Sequence, residues 1–189
     1  MNLTLHALKL DDQTFDRIIK ANPEWNFEQT SEGELIIVPP TGGTSSWKNL
    51  SISRQLGNWV EENLSFGEGF DSNALFQLPN GAKRSPDASW VRRDRWDALT
   101  QKQQDGYVPL CPDFVVELRS HTDDLDELQV KMREYIDNGA LLGWLINPQD
   151  RQVEIYRPLQ EVEILQSPTS LSGEDVLPGF VLSLQRIFV

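Results

Sequence analysis

The run from Cys111 to Asn147, CPDFVVELRSHTDDLDELQVKMREYIDNGALLGWLIN, narrows the choice of fold more than any other part of the chain. Phe114–Leu118 (FVVEL) is a near-continuous apolar segment bounded by Pro112 and the polar SHTDD, the pattern of a central strand covered on both faces. From Asp123 to Asn138 the spacing predicts a helix. Thr122 is placed to cap it, Asp123, Asp124 and Asp126 suit the positive end of its dipole, and Gly139 stops it. Leu125, Leu128, Met132, Tyr135 and Ile136 form its apolar face. Leu141–Ile146 is then a second buried strand.

Around this centre the pattern is one of hairpins. Asp11–Ala21 predicts a short helix, and FEQTSEGELIIVPP a hairpin that turns through Ser31–Gly33 and ends at Pro39. The glycines of TGGTSS lack the lysine and spacing of a phosphate loop and are expected to be a flexible connector. A helix follows from a Ser45 or Ser46 cap to Glu62, with Leu50, Ile52, Leu56, Trp59 and Val60 at helical spacing. Asn73–Leu78 and Asp87–Val91 predict strands, and Arg92–Pro109 a polar connection with one turn of helix at Trp96. Gln152–Tyr156 and Glu161–Gln166 continue a meander. Strand, helix and strand flanked by antiparallel hairpins imply an α/β (α+β) sandwich around a mixed sheet, and residues 1–189 are expected to form a single domain.

Composition then restricts function. With 39% hydrophobic residues, 24% charged and a mean hydropathy of −0.43, the chain is of the soluble globular class. No apolar run approaches the ~18–20 residues of a membrane span, and MNLTLHALKLDD is not a secretion signal, so a cytoplasmic location is expected. One cysteine, Cys111, excludes an internal disulfide and a Cys-rich zinc site. A net charge of −12 disfavours non-specific nucleic-acid binding. One strip, KRSPDASWVRRDR from Lys83 to Arg95, runs the other way, with five basic residues against two acidic. It is either a solvated mixed-charge edge or a weak, salt-sensitive contact for nucleic acid.

Alternation along Phe114–Leu118 puts Asp113, Val115, Glu117 and Arg119 on one side. Asp113 is ~13 Å from Glu117 at ~3.3 Å per residue, too far to share an ion. A second carboxylate must come from another strand, and Asp87 is the best placed. Two carboxylates on adjacent strands beside a cation suit Mg²⁺, which keeps several waters and can take a substrate phosphate. The cation is open at this point. Arg119 stays protonated and is a poor general base, although it could clamp a phosphate. Lys131 lies ~90° from the centre of the helix's apolar stripe and could reach the strand ends. On spacing alone, a solvent-exposed Lys131 paired with Glu127 or Glu134 is the simpler reading.

The segments SPDASWV, PDFVVELRS and LQVKMREYIDNGALLGWLINP, with the closing LPGF, resemble the Uma-two family of bacterial restriction endonucleases, single-domain members of the PD-(D/E)XK nuclease-like superfamily. The resemblance runs from the FEQTSEGELIIVPP hairpin to LPGF. It implies a restriction-endonuclease-like fold and hydrolysis of DNA phosphodiester bonds with Mg²⁺ or Mn²⁺. It makes Asp87 and Glu117 the metal ligands. Arg119 stands where lysine is usual, and Lys131 supplies the migrated lysine, with Tyr135 one turn on. Glu34 in GELIIV is implied as an assisting acid, and a homodimer is expected because restriction-type nucleases often cut two strands as dimers. The alternative is a catalytically inactive nuclease-like fold that binds nucleic acid or protein. His6 and His121 are expected in exposed or loop positions, no serine has a histidine at triad spacing, and Trp47, Trp59, Trp90 and Trp144 are assigned to core or interface.

Overall fold

The computed structural model describes residues 3–189. In chain order it contains β1 (Leu3–Lys9), α1 (Asp12–Ala21), β2 (Asn26–Gln29), β3 (Glu34–Val38), α2 (Gly43–Glu62), β4 (Gly67–Asp71), β5 (Phe76–Gln77), β6 (Lys83–Arg84) and β7 (Ala88–Arg92). Two short helices, α3 (Arg93–Asp97) and α4 (Gln101–Gln104), lead to β8 (Phe114–Leu118), α5 (Leu125–Asp137) and β9 (Leu142–Asn147). The remainder is β10 (Gln152–Tyr156), β11 (Glu163–Gln166), β12 (Ser170–Ser172) and β13 (Val181–Ser183).

The central sheet has six strands in the order β11-β10-β9-β8-β7-β4, with β8 and β9 parallel and the other neighbours antiparallel. The parallel pair is the one whose strands are joined by α5, since parallel neighbours need a crossover. Alternation splits its side chains between two apolar layers. Phe114, Val116 and Leu118 pack with Ile52, Leu56 and Trp59 of α2 and with the C-terminal Phe180. Val115 packs on the other face with Met132 and Tyr135 of α5. The early hairpins form a separate five-stranded antiparallel sheet, β1-β3-β2-β6-β5, over which α1 lays Phe15 beside Phe27 and Leu35. Among the described residues no helix is long and apolar enough to cross a membrane.

Helix α5 is defined at both ends by its sequence. Asp124, not Thr122, is the N-cap, accepting from the amides of Asp126 and Glu127. At the other end Gly139 takes φ +109°, with its N–H on Ile136 O and the Ala140 N–H on Tyr135 O, the two bonds of a Schellman stop. Helix α2 begins earlier than its serines suggest. Gly42 is its N-cap and TGGTSS supplies its first turn rather than a flexible connector. Trp59, Trp90 and Trp144 are buried, as expected of core tryptophans.

Strand β4 has no strand-like composition, because Gly67 and Gly69 dilute it. Its pairing with β7 requires at least the first of these. A Cβ on Gly67 would lie 2.1 Å from Val91 O and 2.6 Å from Trp90 Cε2, both in packed positions. Gly67→Ala is therefore expected to lower stability by about 1–3 kcal/mol through overpacking. In urea unfolding this should move the midpoint and leave the slope unchanged; an unmoved midpoint would show that the strand edge yields freely.

Candidate functional site

The parallel register of β8 and β9 places Glu117 opposite Leu145, with its carboxylate on the α5 face of the sheet. One turn of α5 meets it. Lys131 Nζ lies 2.8 Å from Glu117 Oε1, and Tyr135 donates its hydroxyl to the same oxygen at 3.0 Å. Lys131 and Tyr135 are four residues apart and therefore share a helix face.

Asp87 enters at the start of β7, next to β8. Its Oδ2 accepts the Leu118 N–H at 2.7 Å, tying the aspartate to the end of Glu117's own strand. Its Oδ1 accepts from Asn49 Nδ2 on α2 at 2.7 Å.

A third carboxylate arrives from the other sheet. Glu28 on β2 is buried, with Oε1 2.9 Å from Lys131 Nζ and accepting the Ser85 N–H at 3.0 Å. Its Oε2 is 3.2 Å from Arg84, whose Nε donates to Glu134 at 2.6 Å. Lys131 thus bridges the sheets between Glu28 and Glu117. The expectation of a solvent-exposed Lys131 paired with Glu127 or Glu134 is overturned: its side chain is 13% exposed, and Glu134 is engaged by Arg84 and Asn80.

The charges do not balance. Four carboxylates (Glu28, Asp87, Glu117 and Glu134) face two cations, Lys131 and Arg84. Arg84 pairs with Glu28 and Glu134, and Lys131 with Glu28 and Glu117, so two cations are shared among three carboxylates and Asp87 has no direct ion-pair partner among the described residues. Protonation follows this division. Burial would raise the Glu28 carboxyl, but Lys131 and Arg84 hold it below the usual range. Burial pushes Glu117 up to about 7, with Asp87 and Glu28 adding to the push and Lys131 opposing it. Burial likewise raises Asp87. Burial disfavours the Lys131 ammonium, yet Glu117 and Glu28 outweigh it and its pKa is raised. Tyr135, buried against the same carboxylates, is raised well above an ordinary phenol.

The remaining candidates lie apart. Arg119 turns away, with its guanidinium 3.4 Å from Asp150 and donating to the Asp123 carbonyl. Glu34 sits at the start of β3 against His6, 3.3 Å away. Asp113 has a structural place, accepting the Arg92 N–H and pairing with Arg95 at 2.9 Å. The strip from Lys83 to Arg95 is not an open basic patch. Lys83 is buried on Asp12 and Gln29, Arg84 lies between Glu28 and Glu134, Arg92 binds Asp94, Arg93 binds Glu68 and Asp97, and Arg95 binds Asp113.

Sequence reasoning missed Glu28 and Asn49. Glu28 lies in an ordinary hairpin strand, and the available signal is that NFEQ ends on two adjacent polar residues, Glu28 and Gln29, which alternation places on opposite faces and which the middle strand of the sheet buries both. Asn49 is a polar residue on α2 between the buried Lys48 and the exposed Leu50, and nothing in its spacing distinguishes it.

The donor set suits a hard divalent cation. Two carboxylates with unbalanced charge, desolvated and held at adjacent strand ends, provide oxygen ligands and a net negative charge. Among the described residues no three His, Cys, Asp or Glu groups form a complete ligand cage. Mg²⁺ does not need one, since it is commonly held by one or two carboxylates and keeps its remaining waters.

Comparison with known proteins places this geometry in context. The profile of the Uma2 family, described as "Putative restriction endonuclease", matches residues 12–185. A crystal structure from Anabaena variabilis ATCC 29413, titled as a "putative nuclease belonging to DUF820", superposes with a TM-score of 0.73 at 21% identity, covering 87% of this chain and 90% of that one. No curated protein matches.

Proposed function

The chain belongs to the Uma2 family, described as "Putative restriction endonuclease", and from that premise we propose that it is a Mg²⁺- or Mn²⁺-dependent endonuclease that hydrolyses DNA phosphodiester bonds. The observation that carries the reading is the pair Asp87 and Glu117 beside the Lys131 ammonium, in a buried cluster of four carboxylates and two cations.

In this reading Asp87 and Glu117 hold the cation. When bound, the cation polarises a phosphoryl oxygen and lowers the pKa of a water. The residues of the chain do the rest. The Leu118 N–H and Asn49 fix Asp87, and the Tyr135 hydroxyl fixes Glu117. Lys131 is a poor proton acceptor, because its partners keep it charged. It assists the attacking water as a donor and as a fixed positive charge against the pentavalent phosphate. Arg119 can hold a flanking phosphate by leaving Asp150, an exposed pairing that is weak in water. Glu34, on β3 against His6, is not needed for this arrangement. A single domain, a cytoplasmic location and a homodimer remain part of the proposal, as expected from the family resemblance and composition.

The test is metal binding. Mg²⁺ or Mn²⁺ should raise the melting temperature of the wild type, and Asp87→Ala and Glu117→Ala should each abolish that rise. Cleavage of plasmid or single-stranded DNA should be lost in Lys131→Ala and kept in Arg119→Ala. A wild type whose melting ignores both metals would favour the second reading, a non-catalytic nuclease-like fold that binds nucleic acid or protein. One observation favours the protein-binding form of that alternative: the basic strip from Lys83 to Arg95 is engaged in internal ion pairs.

A further inference from the structure

Helix α2 contributes more than packing. Its rotation about its own axis is fixed by Ile52, Leu56, Trp59 and Val60, which are buried against the central sheet. Lys48, also buried, ties its first turns to the C-terminal segment through the Val189 carbonyl at 3.2 Å. Held this way, the helix directs Asn49 at Asp87.

The orientation of the Asn49 amide is determined by its partner. The NH₂ group faces Asp87, and Nδ2 donates to Oδ1 at 2.7 Å. The amide oxygen then has no choice of position. Asn49 Oδ1 is buried and receives no hydrogen bond from any described residue. A buried carbonyl oxygen without a donor is uncommon, and this one is carried by a side chain already bonded to a proposed metal ligand.

We propose that Asn49 is a positioning residue of the cation site: its Nδ2 holds Asp87 in place, and its Oδ1 accepts a hydrogen bond from a water carried by the cation. The inference rests on the reading of Asp87 and Glu117 as ligands and extends it to a residue outside both strands. Mg²⁺ held by two carboxylates retains waters whose protons need acceptors. Such outer partners orient the ligand and tune affinity. Asn49 combines a donor to the ligand with an acceptor for the water in one planar group. Alanine there removes both functions. Aspartate keeps an oxygen at the acceptor position and adds negative charge that a divalent cation offsets.

The experiment is calorimetric titration of Mg²⁺ and Mn²⁺ into the wild type, Asn49→Ala and Asn49→Asp, with Asp87→Ala as the reference for a lost site. Metal-free melting curves of each establish that the variants are folded. Asn49→Ala should weaken metal binding about 10–100-fold. Asn49→Asp should bind at least as tightly as the wild type while melting lower without metal. If Asn49→Ala does not fold, Asn49→Ser, whose hydroxyl is too short to serve both partners, replaces it under the same criterion. Wild-type affinity in Asn49→Ala, or in its serine replacement, overturns the role of Asn49 and leaves the cation site standing. Absence of Asp87-dependent binding in the wild type removes the site, and the inference with it.

Discussion

Lys131→Met is expected to destabilise the metal-free protein by about 3–5 kcal/mol, the effect of removing one partner from a buried ion pair. The lysine is the shared counter-ion of Glu28 and Glu117, at 2.9 and 2.8 Å, and its removal leaves Glu117 with Tyr135 alone. Arg84 still holds Glu28, so the loss falls mainly on Glu117. Two details distinguish this from simple loss of packing. The penalty should be smaller at pH 6 than at pH 8, because Glu117 can escape it by taking a proton. The double variant Lys131→Met/Glu117→Gln should recover most of the lost stability, since it removes the stranded charge. Urea unfolding at the two pH values measures both. A loss below about 1 kcal/mol would be that of a surface lysine and would contradict the buried bridge.

Glu117→Gln has the opposite sign. Its carboxyl stands at about 7 in the folded protein against an ordinary 4.5, so between these values the folded state retains a proton that the unfolded chain releases. Stability from this group is complete below about pH 4.5 and is lost as the pH rises through 7. The Asp87 shift acts in the same direction, while the depressed Glu28 matters only in more acid solution. The shift at Glu117 corresponds to about 3 kcal/mol. For a chain of this length that is a fall of roughly 6–12 °C in melting temperature between pH 5 and pH 8 without metal. Saturating Mg²⁺ should flatten the profile by supplying the missing charge. Glu117→Gln should flatten it without metal, melt above the wild type at pH 8 and gain nothing from Mg²⁺. A wild-type melting temperature that is level or rising from pH 5 to pH 8 would contradict the charge imbalance.

The sequence made the centre of the fold legible because β8, α5 and β9 obey local rules: apolar runs for buried strands, an aspartate-rich first turn and a glycine stop. Local rules failed where tertiary contact decides. Strand β4 exists because Gly67 admits the Trp90 ring, not because its residues favour a strand. The start of α2 at glycine rather than serine, and the cap at Asp124 rather than Thr122, show that several residues could serve and packing selects among them. Asp87, Glu117, Lys131 and Tyr135 were nameable because the resemblance to a family pattern implied them. Glu28 and Asn49 were not, since one comes from a separate sheet and the other from a helix across the central sheet. Helix periodicity put Lys131 beside Glu127 and Glu134. It could not show that a strand 103 residues away would draw the lysine inward.

The surplus of carboxylates has a consequence on the timescale of mutation rather than of folding. Glutamate becomes glutamine, and aspartate asparagine, by a single nucleotide change, and at Glu117 and Asp87 either change removes a buried, poorly compensated charge. A lineage selected only to stay folded would find those substitutions early and keep them. Under the proposed function, use of the site is what retains acidic side chains at both positions, so the identity of these two residues in a diverged copy is expected to track whether that copy still binds the cation.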